Sequence, residues 1–186
     1  MPPKTRITRE MILDAAFEIT RESGIENVSA RTVSQRLGCS TQPVMYCFST
    51  IEELRAEVYR RTEDYQTEFI MSRQAESVTM LDVGMAYVRF AAEEKYLFRL
   101  LFQSDHFSQQ TLSDVVEDAS IQPLIEALSQ LYGISRDEAK DAFTARFLMV
   151  HGMASMLANN SMVYDESVVK RLLEAQFDRD TEIDSQ

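Results

Sequence analysis

Apolar residues along this 186-residue chain recur at intervals of three and four, seldom in alternation, which is the period of amphipathic helices. Met11, Ile12, Ala15, Ala16 and Ile19 keep that spacing behind Thr8. The Thr8 hydroxyl can cap free backbone N–H groups, and Ile7 is placed to staple against Ile12. Gly24 is placed to close this helix in a left-handed turn. A second helix starts the same way, with Ser29 as cap, Val28 stapled to Val33, Leu37 closing the apolar face and Gly38 making the turn. A third restarts at Ser40, with Pro43 in the first turn, where its missing N–H has no partner to lose. A fourth begins near Ser49–Thr50, where Thr50 and Glu53 have capping-box spacing, and runs unbroken to about Arg73.

Further along, a helix from about Thr79 to Glu94 carries Leu81, Met85, Val88 and Ala91 or Ala92 on one side. A short one follows with Tyr96, Leu97, Leu100 and Leu101. Asp105 is placed to cap a helix running to about Asp118, and Ser120 to Pro123 opens another that ends at Gly133. Ser135 and Glu138 form a capping box for a long helix to Asn159 or Asn160. A last helix spans about Asp165 to Phe177, and the acidic tail Asp178–Gln186 is expected to fray. No segment alternates apolar and polar residues for long enough to predict a strand, and no repeat recurs at a fixed period. The pattern predicts an all-α chain. A three-helix helix-turn-helix domain (residues 1–54) is joined by a long helix to a larger helical domain (residues 55–186).

Composition changes this picture little. Five glycines and four prolines agree with long helices, and 45% hydrophobic residues suffice for one or two cores. Cys39 and Cys47 lie too close together for a disulfide framework of the secreted type. They read as small packing residues, with a redox switch inside the helix-turn-helix as the alternative. No apolar run approaches the roughly 18 to 20 residues of a membrane span, and no charged-then-apolar leader opens the chain; a soluble cytoplasmic protein is expected. His106 and His151 stand apart from acids and cysteines at ligand spacing, so neither metal nor cofactor is expected. His151 reads as a buried or interface group. No glycine-rich phosphate loop and no Ser-His-Asp arrangement is present. The acid pairs Glu93–Glu94 and Asp137–Glu138 fall on helix surfaces or in caps, so an enzyme is not expected.

Charge matters more. A net charge of −11 argues at first against nucleic acid, whose affinity rests on neutralising phosphates. Its distribution removes the objection. Residues 1–55 hold seven Lys/Arg and seven Asp/Glu, and the remainder holds twelve and twenty-three. Lys4, Arg6 and Arg9 form a basic arm in a nine-residue opening without a single acid.

The informative stretch is Ser29–Phe48, two short helices across the turn Leu37–Gly38–Cys39. Such a hairpin leaves the N-terminus and one face of its second helix outside, the geometry that enters a major groove. The outward positions here are Ser40, Thr41, Gln42 and Tyr46, hydrogen-bonding groups with no acid among them. Gln pairs with adenine edges, Ser and Thr bond bases or phosphates, and a Tyr hydroxyl donates to phosphate. The helix starts at Ser29–Arg31 and Ser40–Gln42 add backbone N–H groups. A plain helical hairpin with a polar rim is the alternative.

Residues 8–54 resemble the DNA-binding domain of the TetR-type (TetR/AcrR-like) regulators. The match is carried by Ile12–Ala15–Ala16, the Gly24 turn, Ser29 with Val33, Leu37–Gly38–Cys39–Ser40, Phe48 and Glu53–Leu54. The run Ser40–Thr41–Gln42–Pro43–Val44 is similar to a recognition-helix variant of that family. Leu97–Phe98–Arg99–Leu100–Leu101–Phe102 and Val150–His151–Gly152–Met153–Ala154 resemble the ligand-binding domain of one branch. The resemblance, with the residue chemistry above, implies DNA contacts from Lys4, Arg6, Ser29, Arg31, Thr32, Ser40, Thr41, Gln42, Pro43, Tyr46 and Thr50. Two positions depart from the family pattern. Met45 stands where a Tyr is usual, with Tyr46 one place later, and Ile51 replaces a phosphate-contacting Lys. Either Tyr46, Thr41 and the basic arm compensate, or binding is weaker than usual; an inward Met45 filling the core is the other reading of that position.

For residues 55–186 the resemblance implies a helical domain that dimerises and encloses a small-molecule pocket. The residues themselves point to a dimer. Phe143, Phe147, Val150, Ala154 and Leu157 share one face of the long helix with Ala139 and Ala142, and Met149, Met153 and Met156 widen it. With His151, and Leu172 on the last helix, Phe143, Phe147, Val150, Ala154 and Leu157 form the expected dimer interface, a four-helix arrangement. The alternative is that both helices are core helices of a monomer. Tyr87, Phe90, Phe98, Phe102, Phe107 and Phe147 are the aromatic candidates for an effector pocket. The function expected is a homodimeric transcriptional repressor that binds a palindromic operator in double-stranded DNA and is released by a small-molecule effector. The alternative is a dimeric helical interaction module whose helix-turn-helix binds DNA weakly or not at all.

Overall fold

The computed structural model describes residues 7–71, 79–104, 111–119 and 121–178. Among them are ten α-helices and no strand: α1 (Arg9–Ser23), α2 (Ala30–Leu37), α3 (Gln42–Cys47), α4 (Ile51–Met71), α5 (Met80–Glu93), α6 (Lys95–Phe102), α7 (Leu112–Glu117), α8 (Gln122–Tyr132), α9 (Arg136–Ala158) and α10 (Glu166–Asp178). They pack as two units. The first comprises residues 1–69 and 94–104, the second residues 70–93 and 105–186. The expected division at residue 54 falls just inside α4, which belongs almost wholly to the first unit, and α6 returns to that unit after α5 has left it.

The first unit is organised by local signals. Thr8 accepts a hydrogen bond from the Met11 N–H at 3.2 Å and starts α1. Val28 and Val33, the expected staple across the start of α2, are both fully buried. Gly38 closes α2 in the left-handed region (φ 63°, ψ 33°). The Cys39 N–H then bonds the Ser34 carbonyl and the Gly38 N–H the Gln35 carbonyl, the double bond of a Schellman turn. Gly24 corrects its expectation. It ends α1 at φ 100°, ψ 156°, an extended positive-φ conformation open essentially to glycine, and leads into a 3-10 turn at Ile25–Asn27. The core gathers Ile12, Ala16 and Ile19 of α1, Val33 of α2, Val44 and Phe48 around α3, Leu54 and Val58 of α4 and Leu100 of α6. Each large side chain of this kind contributes about 1.5–3 kcal/mol on burial, so every helix of the unit is held by the same mass.

The second unit has two cores joined by α9. One packs Val88 of α5, Val150 and Leu157 of α9, and Val169 and Leu173 of α10. The other packs Val116 of α7, Ile125 and Leu128 of α8, and Ala139 and Phe143 of α9. Ser135 and Glu138 form the expected capping box, and Gly133 ends α8 in a left-handed turn. The helix expected from Asp105 is corrected. Asp105 lies outside the described residues, while Thr111 is extended (φ −84°, ψ 162°) and starts α7 in a capping box with Asp114. A continuous helix from 105 to 118 is therefore broken at Thr111.

Candidate nucleic-acid interface

Among the described residues of the first unit, the exposed large apolar side chains lie on α3. Val44 and Phe48, four residues apart, point into the core, with Cys47 half-buried beside them. The opposite face presents Thr41, Gln42, Met45 and Tyr46, all exposed. Tyr46 is 89% exposed and Met45 48%, so the inward reading of Met45 is overturned. Val44 and Phe48 already fill the space under α3, and Ile51 packs at the margin of the same core.

On the rim of α2, Ser29 is the expected cap, and Thr32 closes it. Ser29 Oγ accepts from the Thr32 N–H at 3.1 Å, and Thr32 Oγ1 accepts from the Ser29 N–H at 3.0 Å. Thr32 Oγ1 also donates to the Asn27 carbonyl at 2.8 Å. Both hydroxyls thus serve the helix cap, half-buried, and what α2 offers outward is its first-turn backbone N–H groups and Arg31. Thr50 is spent in a similar way, accepting from the Glu53 N–H at 3.1 Å to start α4. The Glu53 carboxylate accepts from the Ser49 N–H at 2.8 Å, one residue earlier than the expected capping box. Pro43 is half-buried in the first turn of α3, Ser40 is exposed, and Lys4 and Arg6 lie outside the described residues.

Electrostatics single out one cation. Arg36 is held by the Glu22 carboxylate, with Nη1 at 2.8 Å from Oε2, which holds Glu22 below the usual carboxylate range. Arg55 donates to the Val28 carbonyl at 2.9 Å. Arg61 pairs with Asp14 at 2.6 Å and Glu10 at 3.0 Å. Arg9, expected in the basic arm, is a strut instead. Its guanidinium sits 3.9 Å from the centre of the Phe48 ring, bonds the Cys47 carbonyl, and pairs with Glu53 at 3.0 Å and Glu57 at 2.6 Å. It ties the start of α1 to the end of α3 and to α4. Among the described residues of this unit, Arg31 is the basic side chain left without ion pair, hydrogen bond or ring contact. It stands on the stretch from Asn27 to Ile51, which contains no Asp or Glu. Four acids of the unit, Asp14, Glu18, Asp64 and Glu68, line a groove of about 420 Å³ between α1 and α4 with Arg61, Phe17 and Tyr65.

One ion pair with a buried carboxylate was not foreseen. Glu94, expected on a helix surface or in a cap, stands at the N-cap position of α6 and is 5% exposed. Arg21 of α1 grips both its carboxylate oxygens, through Nε at 2.7 Å and through Nη2, and the Tyr65 hydroxyl of α4 donates to it at 3.1 Å. The residues lie far apart in sequence, and a buried carboxylate requires such partners.

The aromatic candidates are distributed over both units. Phe98 and Phe102 pair on α6 in the first unit with ring centres 4.8 Å apart. Tyr87, Phe90 and Phe147 belong to the second, and Phe107 lies outside the described residues. Phe90 and Phe98 are fully buried. Along α9, Phe143, Phe147 and His151 stack one turn apart. The Tyr87 hydroxyl lies 3.0 Å from His151 Nδ1. Burial lowers the pKa of His151 and raises that of Tyr87, so at neutral pH the pair is a phenol hydroxyl and an uncharged imidazole, whose tautomer sets which of the two donates.

The residues of the expected dimer face differ in burial. Phe143, Val150, Ala154 and Leu157 are buried within a single chain, because α5, α8 and α10 cover that side of α9. Phe147 and His151 are half-buried and Leu172 is 46% exposed. The side of α9 left open carries Ala145, Leu148, Gly152 and Met156, with Val168 beside Leu172 on α10.

Comparison with known proteins agrees with this geometry. Residues 80–179 match the family model described as Tetracyclin repressor-like, C-terminal domain. The chain is 23% identical over 176 residues to the uncharacterized HTH-type transcriptional regulator YobS of Bacillus subtilis (strain 168), covering 92% of this chain and 90% of that protein. It is 34% identical over 65 residues to the tetracycline repressor protein class D of Escherichia coli and to that of class H of Photobacterium damsela subsp. piscicida, covering 32% of this chain and 29% of each repressor. No described helix is long and apolar enough to cross a membrane. With a family match over more than half its length, the chain belongs to the TetR family of helix-turn-helix transcriptional regulators.

Proposed function

We propose that this regulator is a repressor that binds a palindromic operator as a homodimer, each α3 lying in a major groove, and that a small-molecule effector releases it. The observation that carries the DNA reading is the acid-free α2–α3 surface. Ser40, Thr41, Gln42 and Tyr46 are exposed there, and Arg31 is the cation without an internal partner. Arg31 and the α2 backbone N–H groups hold phosphates, Gln42 and Thr41 address base edges, and the Tyr46 hydroxyl reaches the backbone. Helices α1 to α3 are the reading head, and the region matched by the family model is the dimerisation and sensing part. Two heads in successive major grooves stand about 34–36 Å apart. An effector with unequal affinity for two arrangements of the dimer changes that spacing.

The dimer surface consistent with burial is the open side of α9 and α10, with Leu148, Gly152 and Met156 against Val168 and Leu172. Four exposed large apolar side chains on two helices that both pack on α5 are the composition of a four-helix interface. Met156→Glu is expected to give a folded monomer that no longer binds its operator. Ala154→Glu, at a fully buried position, would instead unfold the chain. DNA binding is tested by retardation of the gene's own upstream DNA at several salt concentrations. A log–log slope of about −0.9 per phosphate contact is expected. No retardation at low salt would sink the DNA reading, and full operator affinity in a monomeric Met156→Glu protein would sink the dimer.

A further inference from the structure

The first unit hides its large apolar side chains with two exceptions among the described residues. Those two, Met45 and Tyr46, are neighbours on α3. Gln42 precedes them by one turn, so all three share the open face. A tyrosine at a surface is explained by its hydroxyl. A methionine is not, because nothing in its thioether favours water and its burial would stabilise the fold.

On a helix seated in the major groove, the partners of Met45 are base edges. These edges carry donors and acceptors and a single kind of apolar group, the 5-methyl of thymine. Gln42 has the matching bidentate partner in adenine, through N6 and N7. No carboxylate lies between Asn27 and Ile51 to repel the duplex from this face. We infer that Met45 reads the 5-methyl group of a thymine in each operator half-site, beside an adenine read by Gln42. This rests on the DNA-binding reading above and narrows it from a palindrome of any sequence to one with an A·T step under α3. The unbranched, polarizable side chain covers the methyl without demanding one geometry, and Tyr46 beyond it keeps its hydroxyl for the backbone.

The test removes the methyl and nothing else. The full-length protein is used to enrich half-sites from a random DNA pool. Each thymine of the winning sequence is then replaced singly by deoxyuridine, which keeps every hydrogen-bonding group and the charge. Affinities of wild type and Met45→Ala are read by fluorescence anisotropy at fixed salt. One thymine per half-site is expected to cost wild type about fourfold when demethylated, the equivalent of one buried methyl at about 0.8 kcal/mol. At that position Met45→Ala should bind thymine and uracil alike, while melting with wild type because the side chain is half exposed. An enriched site without any demethylation-sensitive thymine overturns the inference and leaves DNA reading intact. So does discrimination that survives in Met45→Ala, or that disappears in Tyr46→Ala alone. A pool yielding no enriched sequence overturns both.

Discussion

Helices α2 and α9 begin with the same device and use it for opposite ends. Each opens on a serine whose hydroxyl accepts the N–H three residues on, and each is closed by a side chain reaching back. In α9 that side chain is Glu138, with its carboxylate 2.8 Å from the Ser135 N–H; in α2 it is the uncharged Thr32, at 3.0 Å from the Ser29 N–H. Asp82 and Asp114 reach back at the starts of α5 and α7. A carboxylate there is the better local choice, since it also meets the positive end of the helix dipole. The neutral box at α2 therefore gives up a few tenths of a kcal/mol. What it keeps is an unneutralised helix end beside Arg31, the charge that a phosphate would seek.

Exchanging the two closing residues breaks the comparison most directly. Thr32→Glu should fold with near-wild-type stability yet lose about ten- to a hundredfold in operator affinity at low salt, because a charge a few ångströms from a phosphate is repelled by about 4 kcal/mol at an effective dielectric of 20 before screening. Glu138→Thr in α9 should leave operator affinity within about twofold and cost a few tenths of a kcal/mol in thermal unfolding. Equal losses of DNA binding in both would show that the capping chemistry is indifferent to its position.

Arg31→Ala should weaken binding about tenfold at low salt and flatten the salt slope by about one unit. Arg9→Met, in contrast, should weaken binding with an unchanged slope, because Arg9 holds α3 from inside. A flattened slope for Arg9→Met would return it to the phosphate contacts. Gly38→Ala should cost about 1–2 kcal/mol of stability through its left-handed backbone, read in chemical denaturation. The smallest effect sharpens the contrast by pH. Its hydrogen bond from Ser135 holds the Glu138 carboxyl below its ordinary 4.5, so that cap contributes fully above about pH 4.5 and is lost as pH falls through the lowered value. The stability gap between wild type and Glu138→Gln should close as pH falls through that lowered value, whereas the α2 cap carries no titrating group. A gap that persists at low pH would contradict the assignment.

The features legible in the sequence were those whose partners lie within a few residues. Thr8, Ser29 with Gly38, Gly133 and the Ser135–Glu138 box act over one helical turn, so their meaning does not depend on the fold. The same rule would have found Thr111 with Asp114, which have capping-box spacing and displace Asp105 as the start of α7. It would also have placed Met45 outside, since Val44, Cys47 and Phe48 already make the apolar stripe. Arg9, Glu94 and the open face of α9 are a different matter. Arg9 meets Glu53 across 44 residues and Arg21 meets Glu94 across 73, and only tertiary packing decides which charges close on each other. The face of α9 proposed to meet a second copy is hard to read for a related reason. Apolar periodicity identifies a buried stripe without saying whether the same chain or a second copy buries it.

The return of α6 to the first unit has a consequence for synthesis. Leu100 belongs to the core under α3, and Glu94 is the partner of Arg21. When Phe69 leaves the ribosome, the reading head still has a gap in its apolar centre and an arginine waiting for its carboxylate. At about 5–20 residues per second, the missing helix arrives roughly two to seven seconds later, after the whole of α5. For that interval a nascent DNA-binding surface exists on an unfinished support, and a chain cut at residue 69 would remain in that state permanently.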